Sequence, residues 1–339
     1  MDVFRPRRDA VATRIPAFAR TDGGTLLAFA ELRSTRADTG RIAIGVRRST
    51  DDGASWGEVI RVVDEEACAR NPVPVVRADG RILLLSCLDP VDAGTDGRPR
   101  GAVPTRVRVQ HSDDGGETWS EPRDISQQVR RTGWRWYATG PGGVAPLARG
   151  RILIPANHAG SDRVHRAHTI LSDDGGETWS VGGTVQSPGS NEGQLAQRPD
   201  GRVLLYLRNR VPGGKEFAIS DDEGSSWRPG PEARELAGPV CQCDLLAVGD
   251  ELFATTHRRG SRRSGLTVRR SRDGGETWPD AARVVCGASA YSDLAAMPGG
   301  RIGVLFERGR RISFRVLEGD AFRRTGGAHR DAARSEPHG

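Results

Sequence analysis

The chain has 339 residues, 44 of them Gly and 20 Pro, which is longer than an average domain but within reach of one closed β architecture. Its net charge is +6 and its pI near 9.5, yet Lys215 is the only lysine and the arginines are scattered through the chain, which speaks against a nucleic-acid surface. No apolar run approaches the roughly 18 residues of a membrane span, and the opening MDVFRPRRDAVATRIP lacks the apolar stretch of a secretory leader, so a soluble, cytoplasmic protein with no membrane partner is expected.

In chain order the dominant feature is Ser-x-Asp-x-Gly-x-x-Trp. It reads STDDGASW from Ser49, SDDGGETW from Ser112 and again from Ser172, SDDEGSSW from Ser220 and SRDGGETW from Ser271. A period of roughly 50 residues is the mark of a propeller or solenoid. Asp and Gly supply the hydrogen bonds and positive φ of a tight hairpin, and the Trp anchors the turn to the body. An EF-hand calcium loop would need a longer run of oxygen ligands between helices, which is absent. Short strands follow a second repeat: TLLAFA from Thr25, RILLLSC from Arg81, RILIPAN from Arg151, RVLLYLR from Arg202, ELFATTH from Glu251 and RIGVLFE from Arg301. Six such strands predict an all-β, six-bladed β-propeller over 1–322, with the segment Val3 to Val11 closing the sixth blade. Residues 323–339 have no apolar pattern and read as a disordered tail. The five cysteines, Cys68, Cys87, Cys241, Cys243 and Cys286, are an odd number without a CxxC pair and are expected to be buried free thiols.

Parity locates the chemistry. If the first strand of a blade leaves a given mouth, the second returns to it, and every Asp-Gly-Trp turn then falls on the far face. Ten residues before the second strands stand Asn71, Pro141, Glu192, Cys241 and Tyr291, with Arg14 as the first-blade counterpart at one residue more. The ends of the second strands bring Glu31, Cys87, Asn157, Arg208, His257 and Glu307 to the same mouth. The connections after them add Arg33 and Asp38, the Gly/Pro-rich segment 89–104, and Arg263. Trp134, Trp136 and Tyr137 lie in the link to the third blade. Three arginines from three blades, Arg14, Arg208 and Arg263, repel one another unless an anion sits among them, and a substrate carboxylate is the natural anion.

The ordered combination of Arg-Ile-Pro at Arg14 to Pro16, the repeated Asp boxes, NEGQLAQRPDGRVLLYLRN around Glu192 and Arg208, and AYSDLAAMPGGRIGVLFE around Tyr291 and Glu307 resembles the sialidase (neuraminidase) family. The resemblance spans Arg14 to Glu307 and implies an exo-α-sialidase, a retaining glycoside hydrolase that needs neither metal nor cofactor. It implies that Arg14, Arg208 and Arg263 clamp the carboxylate of a sialic acid and that Glu307 orients the first of them. Tyr291 is then the nucleophile, Glu192 its general base, Asp38 the acid/base and Arg33 a contact near O4 of the sugar. Asn71 stands where bacterial members often carry an acid and is a further substrate contact.

The chemistry fits these residue types. Most retaining glycosidases attack with a carboxylate, and sialidases with a Tyr nucleophile are a recognised exception. The anomeric carbon of a 2-keto acid already bears a carboxylate, which would repel an anionic nucleophile, whereas a phenol stays neutral until its proton leaves. Its ordinary pKa near 10 then calls for a carboxylate as base. The expected partner is a sialylated glycan or a related keto-acid sugar, not nucleic acid. Two alternatives remain: a hydrolase of a deaminated or Kdo-like acid on the same site, and a non-catalytic sialoglycan-binding propeller, which would be expected to lack Tyr291, Glu192 or Asp38. His165 and His168 have no further ligands for zinc. His257 is a candidate substrate contact on the rim, and the Trp134, Trp136 and Tyr137 group a candidate stacking surface.

Overall fold

The computed structural model describes residues 1–91, 105–210 and 215–324. Its described residues are almost entirely strand and turn, with one four-residue α-helix at Ser126–Val129. The strands pair antiparallel in chain order within five hydrogen-bonded sheets. One sheet holds Trp136–Thr139 to Ser180–Thr184, one Ser190–Gln197 to Arg228–Pro229, and one Leu245–Val248 to Asp280–Arg283. The sixth repeat pairs Ser292–Met297, Arg301–Arg308 and Arg311–Leu317 with the N-terminal strand Asp2–Phe4, so the segment expected to close that repeat does so. The first two repeats share one eight-stranded sheet, joined by a single parallel pair, Ile42 with Cys68.

The first strands pack side by side round a closed ring. Ala12–Arg20 lies against Cys68–Val76 on one side and against Ser292–Met297 on the other, and the neighbours between them complete the circuit. The fold is an all-β propeller. Apolar side chains between the sheets form the core: Phe29, Ile44 and Ile82 lie between the first two repeats, and Leu153, Leu205 and Trp179 between later ones. At the axis, Asp293 Oδ2 accepts the backbone amides of Phe18 and Gly143 at 2.5 and 2.6 Å, and Asp244 Oδ2 accepts that of Leu294 at 2.7 Å. Four repeats therefore converge on two fully buried carboxyls.

The Asp boxes behave as hairpin staples. In the third repeat, Ser172 Oγ donates to Asp174 at 2.8 Å and accepts the Gly176 amide at 2.8 Å, while Asp174 accepts the Thr178 amide at 2.9 Å. Gly175 and Gly176 have φ of +73° and +96°, a left-handed pair that the motif supplies. Because Ser172 is buried, Ser172→Ala leaves the Gly176 amide without its acceptor and is expected to cost about 1–2 kcal/mol. The matching Ser112→Ala should add to it nearly independently, which thermal melts of the two single variants and the double variant would check.

Four cysteines are buried, as expected, but Cys286 is exposed, since it lies just past the strand Asp280–Arg283. Arg323–Arg324 pairs with Asp280 and Ala281, so the paired chain runs two residues past Phe322. Residues 325–339 of the expected tail, and 92–104 of the Gly/Pro-rich rim segment, lie outside the described residues. Among the described residues no helix is long and apolar enough to cross a membrane.

Candidate active site

The site is built by bulges at the start of the first strands. Register slips by one residue between Arg14 and Ala17, between Arg70 and Val73, and between Ser190 and Gly193. A bulge turns side chains out of the sheet's regular alternation. Ile15 and Asn71 occupy matching left-handed positions, φ +55° and +54°. The true counterpart of Arg14 in the second repeat is therefore Arg70, which pairs opposite Cys87 as Arg14 pairs opposite Glu31. The equivalence of Arg14 with Asn71 expected from spacing is off by one, because the bulge is present in both strands.

One cavity of about 230 Å³ opens on this mouth, lined by Arg14, Asp38, Glu192, Arg208, Arg263 and Tyr291, with Arg33 and Asn71 on its wall. Glu307 stands behind Arg14, accepting from Nε at 3.1 Å and from Nη2 at 3.4 Å, and it also takes the Ile15 amide at 2.9 Å. Fixed along this edge, Arg14 turns its Nη1 toward Asp38 Oδ1 at 3.3 Å. Tyr291 donates its hydroxyl to Glu192 Oε1 at 2.6 Å, and Arg208 Nη1 reaches both the Tyr291 oxygen, at 2.9 Å, and Glu192 Oε2. The guanidinium carbons of Arg14 and Arg263 stand 5.4 and 5.8 Å from the Tyr291 ring centre, while Arg263 is held by the Val240 carbonyl. All three arginines thus surround one phenol.

The charges shape each group. Burial raises the Tyr291 phenol well above its ordinary value and the Glu192 carboxylate adds to this, while Arg208 and Arg14 pull it down. Burial raises Asp38, but Arg33 and Arg14 outweigh it and hold the carboxyl below its usual range. Burial works against the charge of Arg14 and of Arg208, yet Glu307 in the first case and Glu192 in the second keep both firmly cationic.

Other residues fall differently. His257 is buried beside Cys243, with Nδ1 3.8 Å from the thiol, and does not line the cavity. Trp134 stacks on His158 at 3.8 Å, whereas Trp136 and Tyr137 reach the cavity wall. His165 meets Asn191, and His168 faces His158 Nδ1 at 3.0 Å, so the two point to different partners. Among the described residues no group of three or more His, Cys, Asp or Glu side chains stands where it could hold a metal ion. One wall residue escaped the sequence reading, Arg70, ion-paired with Asp89, while Glu31, which spacing put on this mouth without a role, accepts hydrogen bonds from Arg33. The 17-residue interval from Arg14 to Glu31, counted back from Cys87, would have pointed to Arg70.

A family model for a BNR repeat-like domain matches residues 24–304, and a sialidase of Micromonospora viridifaciens is 32% identical over 330 residues, 89% of this chain. The chain belongs to the sialidase family of BNR-repeat proteins. An exo-α-sialidase of Aspergillus fumigatus is 32% identical over 285 residues, covering 77% of this chain and 68% of that protein. Among solved structures, the Hadza microbial sialidase Hz136 superposes with a TM-score of 0.84 at 26% identity, over 92% of this chain and 67% of that one. This sialidase-family chain spans 50% of the length of the Micromonospora protein and 60% of a Bacteroides fragilis sialidase.

Proposed function

We propose that this chain is an exo-α-sialidase that hydrolyses terminal sialic acid α-ketosides with retention through a tyrosyl-glycosyl intermediate. The observation that carries this reading is the Tyr291 to Glu192 hydrogen bond of 2.6 Å set among three arginines on one cavity. Arg14, Arg208 and Arg263 bind the substrate carboxylate, and Glu307 keeps Arg14 aligned. Glu192 takes the phenolic proton as Tyr291 Oη attacks the anomeric carbon, and Asp38 gives a proton to the departing glycan oxygen. Asp38 then takes a proton from water, whose oxygen displaces Tyr291, and Glu192 returns the phenolic proton. Two inversions amount to retention.

In the free site Asp38 is held as an anion by Arg33 and Arg14, the wrong state for an acid. The substrate carboxylate corrects this by engaging Arg14 in its place. With Arg14 neutralised by a second anion, Asp38 more readily takes up the proton it must donate. Arg33 and Asn71 contact the sugar on the O4 side. The overall frame is a six-bladed propeller spanning 1–324, a count supported by splitting the eight-stranded sheet at its lone parallel pair into two four-stranded halves. The substrate is a sialylated glycan met as a soluble oligosaccharide, in keeping with a cytoplasmic enzyme.

The test is hydrolysis of fluorogenic α-ketosides of N-acetylneuraminic acid, its deaminated analogue and Kdo, with the first-formed sugar anomer read by proton NMR. Turnover of the N-acetyl substrate with initial release of the α-anomer is expected. Initial β-anomer would overturn the double-displacement mechanism, and turnover of Kdo alone would move the substrate to another keto acid. Binding of sialic acid without turnover of any ketoside would leave a glycan-binding propeller.

A further inference from the structure

Asp38 faces an awkward requirement. Its side chain is 48% exposed on the connection between the strands Leu26–Arg33 and Ile42–Ser49, yet a general acid must hold one place beside the leaving oxygen. Its tether is Arg33, a nearly fully buried residue whose Nη1 donates to Asp38 Oδ1 and to the Ala37 carbonyl. The opposite edge of the same guanidinium is gripped by Glu31, whose Oε2 accepts Arg33 Nε at 2.8 Å and also Nη2. Glu31 is 0% exposed, and its second oxygen accepts the Asn71 backbone amide of the neighbouring repeat at 3.0 Å. Asn71 in turn donates its side-chain amide to the Thr139 carbonyl at 2.9 Å, in the third repeat.

We propose that Glu31 is a positioning residue for the reaction, holding Arg33 by one edge so that the other edge fixes the Asp38 carboxylate over the cavity. This rests on the sialidase reading above. Both oxygens of Glu31 are engaged by donors of the chain itself, so it acts through Arg33 and the Asn71 backbone. Its charge has a second effect. The cations that face Asp38 are Arg33, Arg14 and Arg70, and each favours the anion. Glu31 offsets Arg33 and Arg14, Glu307 offsets Arg14, and Asp89 offsets Arg70. Removing the charge of Glu31 leaves Arg33 less balanced and makes Asp38 harder to protonate.

The experiment compares Glu31→Gln with wild type on two ketosides of N-acetylneuraminic acid, one with a nitrophenyl leaving group and one with lactose. A nitrophenolate departs with little help from an acid, whereas an alkyl oxygen needs it. Glu31→Gln is expected to keep the nitrophenyl rate within about threefold and to lose on the order of 10²-fold on the lactoside, the scale of general-acid assistance. The alkaline limb of kcat/KM should move about one unit lower in pH. Asp38→Ala should show the same leaving-group dependence, and the double variant no further loss. Equal loss on both substrates, or an unmoved alkaline limb, overturns the proposal. Should Glu31→Gln fail to fold in a thermal melt, Glu31→Asp decides: with the charge retained, its alkaline limb should stay at the wild-type pH, and a shift there rejects the role. If wild type hydrolyses neither ketoside, the sialidase reading falls and this role with it; a wild type that turns over confines any failure to Glu31.

Discussion

Tyr291→Phe is expected to lower kcat on a sialic acid ketoside by at least about 10³-fold while leaving the thermal midpoint within a few degrees of wild type. The ring keeps its packing against Ile15 and Cys241, so the cavity retains its shape. What disappears is the hydroxyl that donates to Glu192 and that, in the proposed mechanism, attacks the anomeric carbon. Affinity for the product sialic acid should change little, because Arg14, Arg208 and Arg263 remain. Glu192→Gln is expected to lose less, since the phenol survives without its base, and the double variant should be no worse than Tyr291→Phe alone. Steady-state rates with product affinity by calorimetry test this. A variant that keeps more than a tenth of the wild-type rate rules Tyr291 out as nucleophile.

The second large effect concerns stability and lies at the axis. Asp293→Ala strips the acceptor from two buried amides, those of Phe18 and Gly143, and is expected to cost roughly 2–5 kcal/mol. Asp293→Asn keeps an amide oxygen for them and should cost less. The pair also sets a pH dependence. Burial pushes Asp244 up to about 7, and burial together with the neighbouring Asp244 carries Asp293 well above the carboxylate range. Carboxyls raised in the folded state favour the protonated form there, so their stabilisation is complete below the unfolded value near 4 and is lost as pH climbs through the folded one.

Two histidines pull the other way over part of that range. Burial lowers His158 to about 4 and His168 further, so stability gained from them rises with pH until the unfolded value near 6.5 and is constant above it. From pH 6.5 to 8 the axial pair draws stability down. Cys243, where Lys215 and His257 outweigh burial and hold the thiol at about 6, adds stability as pH rises, so the axial contribution is read as the difference between wild type and Asp293→Asn. In Asp293→Asn the new amide can donate to Asp244 as an anion, so the fall should be shallower. Thermal melts of both proteins at several pH values in this window decide the matter, and an Asp293→Asn midpoint that changes with pH just as the wild-type one does would contradict the assignment.

Much of the candidate site was legible because a repeat makes positions equivalent. Arg14, Glu192 and Tyr291 open first strands, Arg208 and Glu307 end second strands, and Asp38 and Arg263 lie in the connections that follow. Alternation of strand direction alone sends all of them to one mouth, and the structure brings them round one cavity. Arg70 escaped because the bulge shifts the count by one, and a single residue reverses which side chain faces the opening, whereas Glu31 was placed on this mouth by spacing but without a role. His257 was misplaced for the opposite reason: strand ends give a direction but not a depth, and this side chain lies behind Cys243. The axial carboxyls left a trace that went unread, Asp-Leu-x-Ala at Asp244 and again at Asp293. A single acid inside an apolar run looks like an exposed turn until its partner across the ring is known.

The Asp boxes carry one more consequence. The glycine four residues after the Ser of each box abuts a side chain of a neighbouring repeat: an added methyl at Gly116 would meet Leu27, at Gly176 Leu83, at Gly224 Leu153 and at Gly275 Leu204, while at Gly53 it would strike Phe314 of the sixth repeat. All five boxes therefore clasp a neighbouring repeat in the same way. The junction between fifth and sixth repeats has none, because the sixth carries no box. There Phe322 packs against Phe253, and Arg323–Arg324 crosses to pair with Asp280 and Ala281. The ring is thus buckled at this plain seam by the last paired residues among those described, and trimming back from Arg324 should let it part there first.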